Sequence, residues 1–210
     1  MPHLDEHLSQ EIKNATKHLG LWRGGPEVDY THARERYAVS ITVVHVPRFD
    51  PARAGRHALT KNTPALLVQR ASGHGEIGSW SGVSGYIGMV NPPPCEDPAD
   101  QVDPEEHDPV YYTICAELNE ECGLTPEFIK SLVLYPGERF WEPTFPGGRV
   151  HVIPVLAVYS GEWLPQITLK LDELSDYAWV SLGRIHAVSC VNAGYIKNTL
   201  PRILRAMPHT

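Results

Sequence analysis

Glu117, Glu120 and Glu121, in the stretch "AELNEECGL" (116–124), are the residues whose type and spacing most plainly suggest chemistry. At about 100° per residue on a helix they fall within an arc of roughly 100°. Like charges three and four apart repel by about 0.2–0.5 kcal/mol per pair, so a helix that crowds them invites a cation. Hard divalent cations prefer carboxylate oxygens, retain several waters and bridge to substrate phosphates. A solvated acidic face is the plain alternative for this run taken alone.

The glutamates need a helix to carry them and a sheet to back it. "VYYTICAELNEECGL" (110–124) reads as the strongest helix in the chain, with Gly123 placed for a left-handed C-cap. Tyr111, Ile114, Cys115, Leu118 and Cys122 form an apolar arc beside the carboxylates. "RYAVSITVVHV" (36–46) and "PALLVQRAS" (64–72) read as strands in a hairpin or meander, and "GSWSGVSGYIGMV" (78–90) as a Gly-punctuated strand and loop. Later strands are expected at 131–137, 149–161 and 176–182, and an amphipathic helix at 193–207 that Pro201 should kink or restart. Trp80 and Trp179 are assigned to the core. At the N-terminus, Leu4, Leu8, Ile12, Ala15 and Leu19 make a helical stripe over 3–19. Residues 91–109, rich in proline and acid, cannot be a central strand or a helix interior and read as an inserted irregular loop, either a solvated linker or a lid. The pattern predicts a mixed α/β domain over 36–210, preceded by a helical extension over 1–35.

With 210 residues and 42% hydrophobic content, the chain can bury the core of one domain. Its net charge of -7 argues against a general electrostatic footprint on nucleic acid. No stretch approaches the roughly 20 apolar residues of a membrane span, and "MPHLDEHLSQ" lacks the order of a signal peptide. A soluble, cytoplasmic protein is the expectation. Cys95, Cys115, Cys122 and Cys190 form no CxxC pair and read as reduced packing thiols. The 11 histidines are scattered without metal-ligand spacing.

"AELNEECGL" resembles the second half of the Nudix box, R-E-U-x-E-E-x-G-U with U an aliphatic residue. Glu117, Leu118, Glu120, Glu121, Gly123 and Leu124 match it position by position. "WSGVSGYIG" (80–88) is similar to the strand and Gly-containing loop that open the box, and "VHVIPVLAVYS" followed by "LDELSDYAWVSL" resembles the family's later core strand and acidic-loop-then-Trp segment. Together these cover about residues 36–190. Strict counting would make Val102 the box glycine and Asp108 the upstream glutamate. Taking Gly85 as the glycine requires residues 91–109 to be an insertion, and that is the reading preferred. Ala116 stands where the family has an arginine that orients a glutamate of the site; Arg70 and Arg149 are candidates to replace that cation.

The resemblance implies a Nudix-type α/β/α sandwich with a mixed sheet and a central carboxylate-bearing helix. It also implies hydrolysis of a nucleoside diphosphate linked to another moiety, with Mg²⁺ or Mn²⁺ on Glu117, Glu120, Glu121 and the Gly85 carbonyl. Glu117 is either a ligand or the group that orients and deprotonates water; Glu173 and Glu142 are secondary candidates for a base. "GERFWEPTFPGGRVH" (137–151) gathers Arg139, Trp141 and Arg149 as candidates for stacking on a base and pairing with phosphate, with Arg70 beside them as a further substrate contact. The partner expected is a small-molecule diphosphate, not nucleic acid or membrane. The family is often dimeric, and the N-terminal stripe offers a surface for a homodimer. Two other readings stand beside this one. The first is a Nudix-fold binding module of weak activity, motivated by Ala116 and the interrupted box. The second is an isomerase of isoprenyl diphosphates, for which Cys95 is poorly placed.

Overall fold

A computed structural model describes residues 35–52, 58–71, 77–87, 109–144 and 148–207. The expected N-terminal helix at 3–19, all of the 1–35 extension but Glu35, and nearly all of the 91–109 loop lie outside the described residues.

Among the described residues, an 8-stranded mixed sheet forms the middle layer. β1 (Glu35–His45) and β7 (Gly148–Tyr159) lie at its centre and run parallel over their full paired length, from Glu35↔Arg149 to His45↔Tyr159. Both are rich in β-branched residues, as strands buried on two faces should be. The other edge of β1 is shared. β2 (Pro64–Arg70) pairs antiparallel with it at Val44↔Ala65, and β4 (Val83–Tyr86), which follows β3 (Trp80–Ser81), takes over from Ile41↔Val83 to Ala38↔Tyr86. β5 (Val133–Pro136) and β6 (Phe140–Thr144) both pair with β7, while β8 (Leu174–Ser181) pairs with β2.

Alternation along β1 divides the interior in two. Val39, Ile41 and Val43 join Ile114, Leu118 and Cys122 of the helix α1 (Pro109–Cys122) on one face. Val44 joins Leu200 and Ile203 of α3 (Leu200–Ala206) on the other. The result is the expected α/β/α sandwich. Burial of side chains such as Ile114 and Leu118, both fully buried, contributes about 1.5–3 kcal/mol each.

α1 starts on Pro109, whose missing N–H costs nothing in the first turn. It ends at Gly123, where φ is +64° and the N–H reaches the Asn119 carbonyl at 2.9 Å. The following chain completes the cap. Thr168 N–H donates to the Cys122 carbonyl at 2.9 Å and Lys170 N–H to the Glu121 carbonyl at 3.2 Å, satisfying two acceptors that a helix end leaves open. A Cβ on Gly123 would meet Thr168 at 2.9 Å, so glycine serves both the turn and this docking.

Several elements differ from the sequence expectation. The 78–90 strand is two short strands, β3 and β4, separated by Gly82. α2 (Pro126–Lys130), capped by Thr125, was not expected. Residues Phe140–Thr144 form β6 in an antiparallel hairpin with β7, a strand absent from the expected set. Trp80 and Trp179 are half-buried at the margins of the two core clusters instead of lying within them. Near the C-terminus, a π-helical turn (Tyr195–Thr199) leads into α3 with Pro201 in its first turn, which is the restart that proline imposes. No helix among the described residues is long and apolar enough to cross a membrane.

Candidate active site

The three glutamates of α1 do not share one environment. Glu121 is buried at 2% exposure, Glu117 is half-buried and Glu120 is exposed. The expected carboxylate arc is therefore a gradient of burial, with Glu121 turned toward Arg70 of β2.

Gly85 and Glu117 are separated by a long stretch of sequence, yet they touch across the site. A Cβ at position 85 would land on the Glu117 carboxylate. Only glycine permits this approach of strand backbone to helix side chain. The contact supports the insertion alignment, in which Gly85 rather than Val102 opens the box.

Arg70, at the end of β2, reaches the same place. Its Nη1 donates to Glu121 Oε1 at 3.3 Å, and its Nη2 donates to the Ser84 carbonyl at 3.2 Å and the Ser84 hydroxyl at 3.1 Å. Glu173 Oε2 lies 4.0 Å from Arg70 Nη1, and Glu173 Oε1 accepts from Lys170 Nζ at 2.7 Å. Backbone pairing sets this geometry, since Ala71 N–H donates to the Glu173 carbonyl at 2.8 Å.

The charges do not balance in the buried part. Burial, then the neighbouring Glu121, Glu120 and Glu173, pushes the Glu117 carboxyl from 4.5 up to about 8, with Arg70 pulling the other way. Burial also raises Glu121, to about 7, against the opposing charges of Arg70 and Lys170. Glu121 Oε2 is buried with no hydrogen-bond partner. Among the described residues, no three His, Cys, Asp or Glu side chains converge as a ready metal-holding group. What the site does offer is all-oxygen donors, one of them an orphaned buried carboxylate atom, beside a backbone left bare by glycine. That set fits a hard divalent cation.

The structure brings together Glu117, Glu120, Glu121, Gly85, Arg70 and Glu173, whereas Trp141 and Arg149 meet each other. Arg149 is exposed and stacks over the Trp141 ring at 4.9 Å, with Trp141 itself 55% exposed. Trp141 pairs with His151, which stacks on Tyr37 at 4.9 Å, so this ledge shares the sheet face of α1 but lies toward the start of β1. Arg139 is half-buried just before β6. Arg149 is thereby excluded as the replacement for the helix cation. Glu142 is a correction as well. It accepts from Asn198 Nδ2 at 2.9 Å on the α3 side, so the sheet separates it from the α1 carboxylates and it cannot be their base. Ser84 and Lys170 were missed; the only sequence signals were adjacency to Gly85 and a three-residue spacing from Glu173.

No family model and no curated protein matches the chain. Solved structures do. The chain is similar to the Nudix hydrolase RenU from M. smegmatis at 15% identity, over 84% of this chain and 90% of that one, with a TM-score of 0.50. It is similar to the MutT protein from Methanosarcina mazei Go1 at 18% identity, over 83% and 96%, also at 0.50. The chain has the Nudix fold.

Proposed function

We propose that the protein is a divalent-cation-dependent hydrolase that cleaves a nucleoside diphosphate linked to another moiety, acting as a pyrophosphatase on a small molecule. The observation that carries this reading is the meeting of Gly85 and Glu117, with the orphaned Glu121 carboxylate one helical turn away. A purely structural helix gains nothing from burying two carboxylates whose pKa values burial raises.

Glu117, Glu120, Glu121 and the Gly85 carbonyl would hold Mg²⁺ or Mn²⁺. A cation bound there supplies neutralisation of diphosphate charge and acidification of water. The chain's own groups do the rest. Glu117 either binds the cation or takes the water's proton. Glu173, 40% exposed and steered by Lys170, is the second base. Trp141 and Arg149 offer a stacking ledge for the leaving moiety on the same sheet face, with Arg139 close by in sequence. We place this activity in one unit spanning 36–210 in the cytoplasm, with a homodimer as the assembly. A catalytically weak nucleotide-binding module is the second reading, favoured by Ala116, which is buried and leaves α1 without its own cation.

A phosphate-release screen over diphosphate-linked compounds with Mg²⁺ or Mn²⁺, run beside Glu120→Gln, tests the proposal. Glu120 is exposed, so the substitution leaves the fold intact. Turnover by the parent and its loss in the variant are expected. Unchanged turnover in the variant would remove Glu120 from the site, and no turnover of any compound by the parent would favour the binding module.

A further inference from the structure

β2 and β4 divide one edge of β1 between them, and a seam opens where β2 leaves and β4 begins. Arg70 is the last residue of β2 and spans that seam. One side of its guanidinium meets the Ser84 carbonyl and hydroxyl on β4; the other meets Glu121 on α1. The next residue on β4 is Gly85, which abuts Glu117. A single side chain therefore ties the buried carboxylate of the helix to the strand that carries the bare backbone. Lys170, a second cation near the cluster among the described residues, is 38% exposed and held by Glu173.

We propose that Arg70 is the positioning residue of this site: delivered from β2, it replaces the helix cation absent at Ala116 and fixes Glu121 relative to Gly85. This rests on the cation-dependent hydrolase reading above. A guanidinium is suited to the task because its rigid fork serves acceptors on two elements at once, which an ammonium on a flexible stem does not. Ala116 is buried at 1% exposure, so α1 itself could bring no equivalent charge to the same point without repacking. The orphaned Glu121 Oε2 fits this role: Arg70 holds one carboxylate oxygen and leaves the other available.

The test uses Arg70→Gln, Arg70→Lys, Glu121→Gln and the double variant Arg70→Gln/Glu121→Gln. Steady-state kinetics with Mg²⁺ are read beside Mn²⁺ uptake by the substrate-free protein, followed by electron paramagnetic resonance, and melting temperature in chelator. Arg70→Gln should lower kcat by about 10- to 100-fold, the usual cost of losing an outer partner of a metal ligand, with KM within about threefold of the parent. Arg70→Lys should recover only part of kcat. In chelator the double variant should melt above Arg70→Gln, because Glu121 is no longer stranded. A rise in KM with kcat intact would overturn the proposal by making Arg70 a substrate contact. Full activity in Arg70→Lys, or strictly additive melting shifts, would overturn it too. If the parent itself neither turns over substrate nor takes up Mn²⁺, the underlying reading fails, an outcome visible before any substitution is made.

Discussion

Along β1 the side chains alternate between two interiors, and two buried polar pairs, one in each, are treated in opposite ways. Under α3, Thr42 and Tyr195 are both buried, and their hydroxyls meet at 2.9 Å. Under α1, Glu121 is as deeply buried, yet one of its oxygens has no partner and the adjacent Glu117 carries a strongly raised pKa. The Thr42–Tyr195 pair is satisfied and ties α3's side of the sheet together, although Arg202 Nε of α3 is buried without a hydrogen-bond partner. On the α1 side the Glu121 Oε2 atom has no hydrogen-bond partner, which is the state expected where stability has been given up for a binding site.

The sharpest way to break that comparison is to substitute one residue on each face and read stability and turnover together. Glu117→Gln should abolish most turnover, exceeding the about 10- to 100-fold typical of an outer partner of a metal ligand. Measured in chelator above the raised pKa of about 8, it should also make the protein harder to unfold, because an uncompensated buried charge is gone. Ile203→Ala, at a fully buried position in α3, should do the reverse: a loss of about 2–5 kcal/mol in urea unfolding with kcat unchanged. A Glu117→Gln variant that unfolds more easily in chelator would show that the buried Glu117 charge is compensated, as the Thr42–Tyr195 pair is.

The next effect is the pH dependence of stability. Glu117 and Glu121 hold their protons more tightly folded than unfolded, so between 4.5 and their raised values of about 8 and about 7 the folded state binds more protons. Stability from these groups is therefore fully present below 4.5 and is lost as pH rises toward 8. The melting temperature in chelator should fall across that window, and added Mg²⁺ should flatten the fall by favouring the ionised carboxylates. Glu117→Gln should reduce the slope. A melting temperature that rises through the same window in chelator would contradict the burial assigned to both groups.

How much of this was legible beforehand follows from which forces act locally. The α1 stripe, its glycine stop and the β-branched runs of β1 and β7 are set by neighbours within a few residues, and the chain reads them plainly. β6 hid because Pro143 in "FWEPT" looks like a breaker, although an antiparallel partner on one side tolerates it. α2 spans five residues, too few for a periodicity, despite its Thr-Pro start. The spacing of the glutamates announced a site, but their gradient of burial depends on how α1 settles over the β2/β4 seam. Arg70 and Arg149 were equal candidates in sequence, and only strand pairing separates them, by placing one at Ser84 and the other over Trp141.

The smallest effect tests whether the α3 face is as settled as its geometry indicates. The Tyr195 hydroxyl is raised to about 12 by burial, against the opposing hydrogen bond from Thr42, so it stays protonated and acts only as a structural link. Tyr195→Phe removes one partner and strands the Thr42 hydroxyl, at a cost of about 1 kcal/mol. Adding Thr42→Val removes the stranded group, and the pair should return close to the parent, since replacing both partners by apolar groups of similar shape is nearly neutral. Neither variant should change kcat, and urea unfolding beside the phosphate-release assay reads both quantities. A loss of turnover in Tyr195→Phe would mean that the two faces are coupled through β1 and that the division between scaffold and site is incomplete.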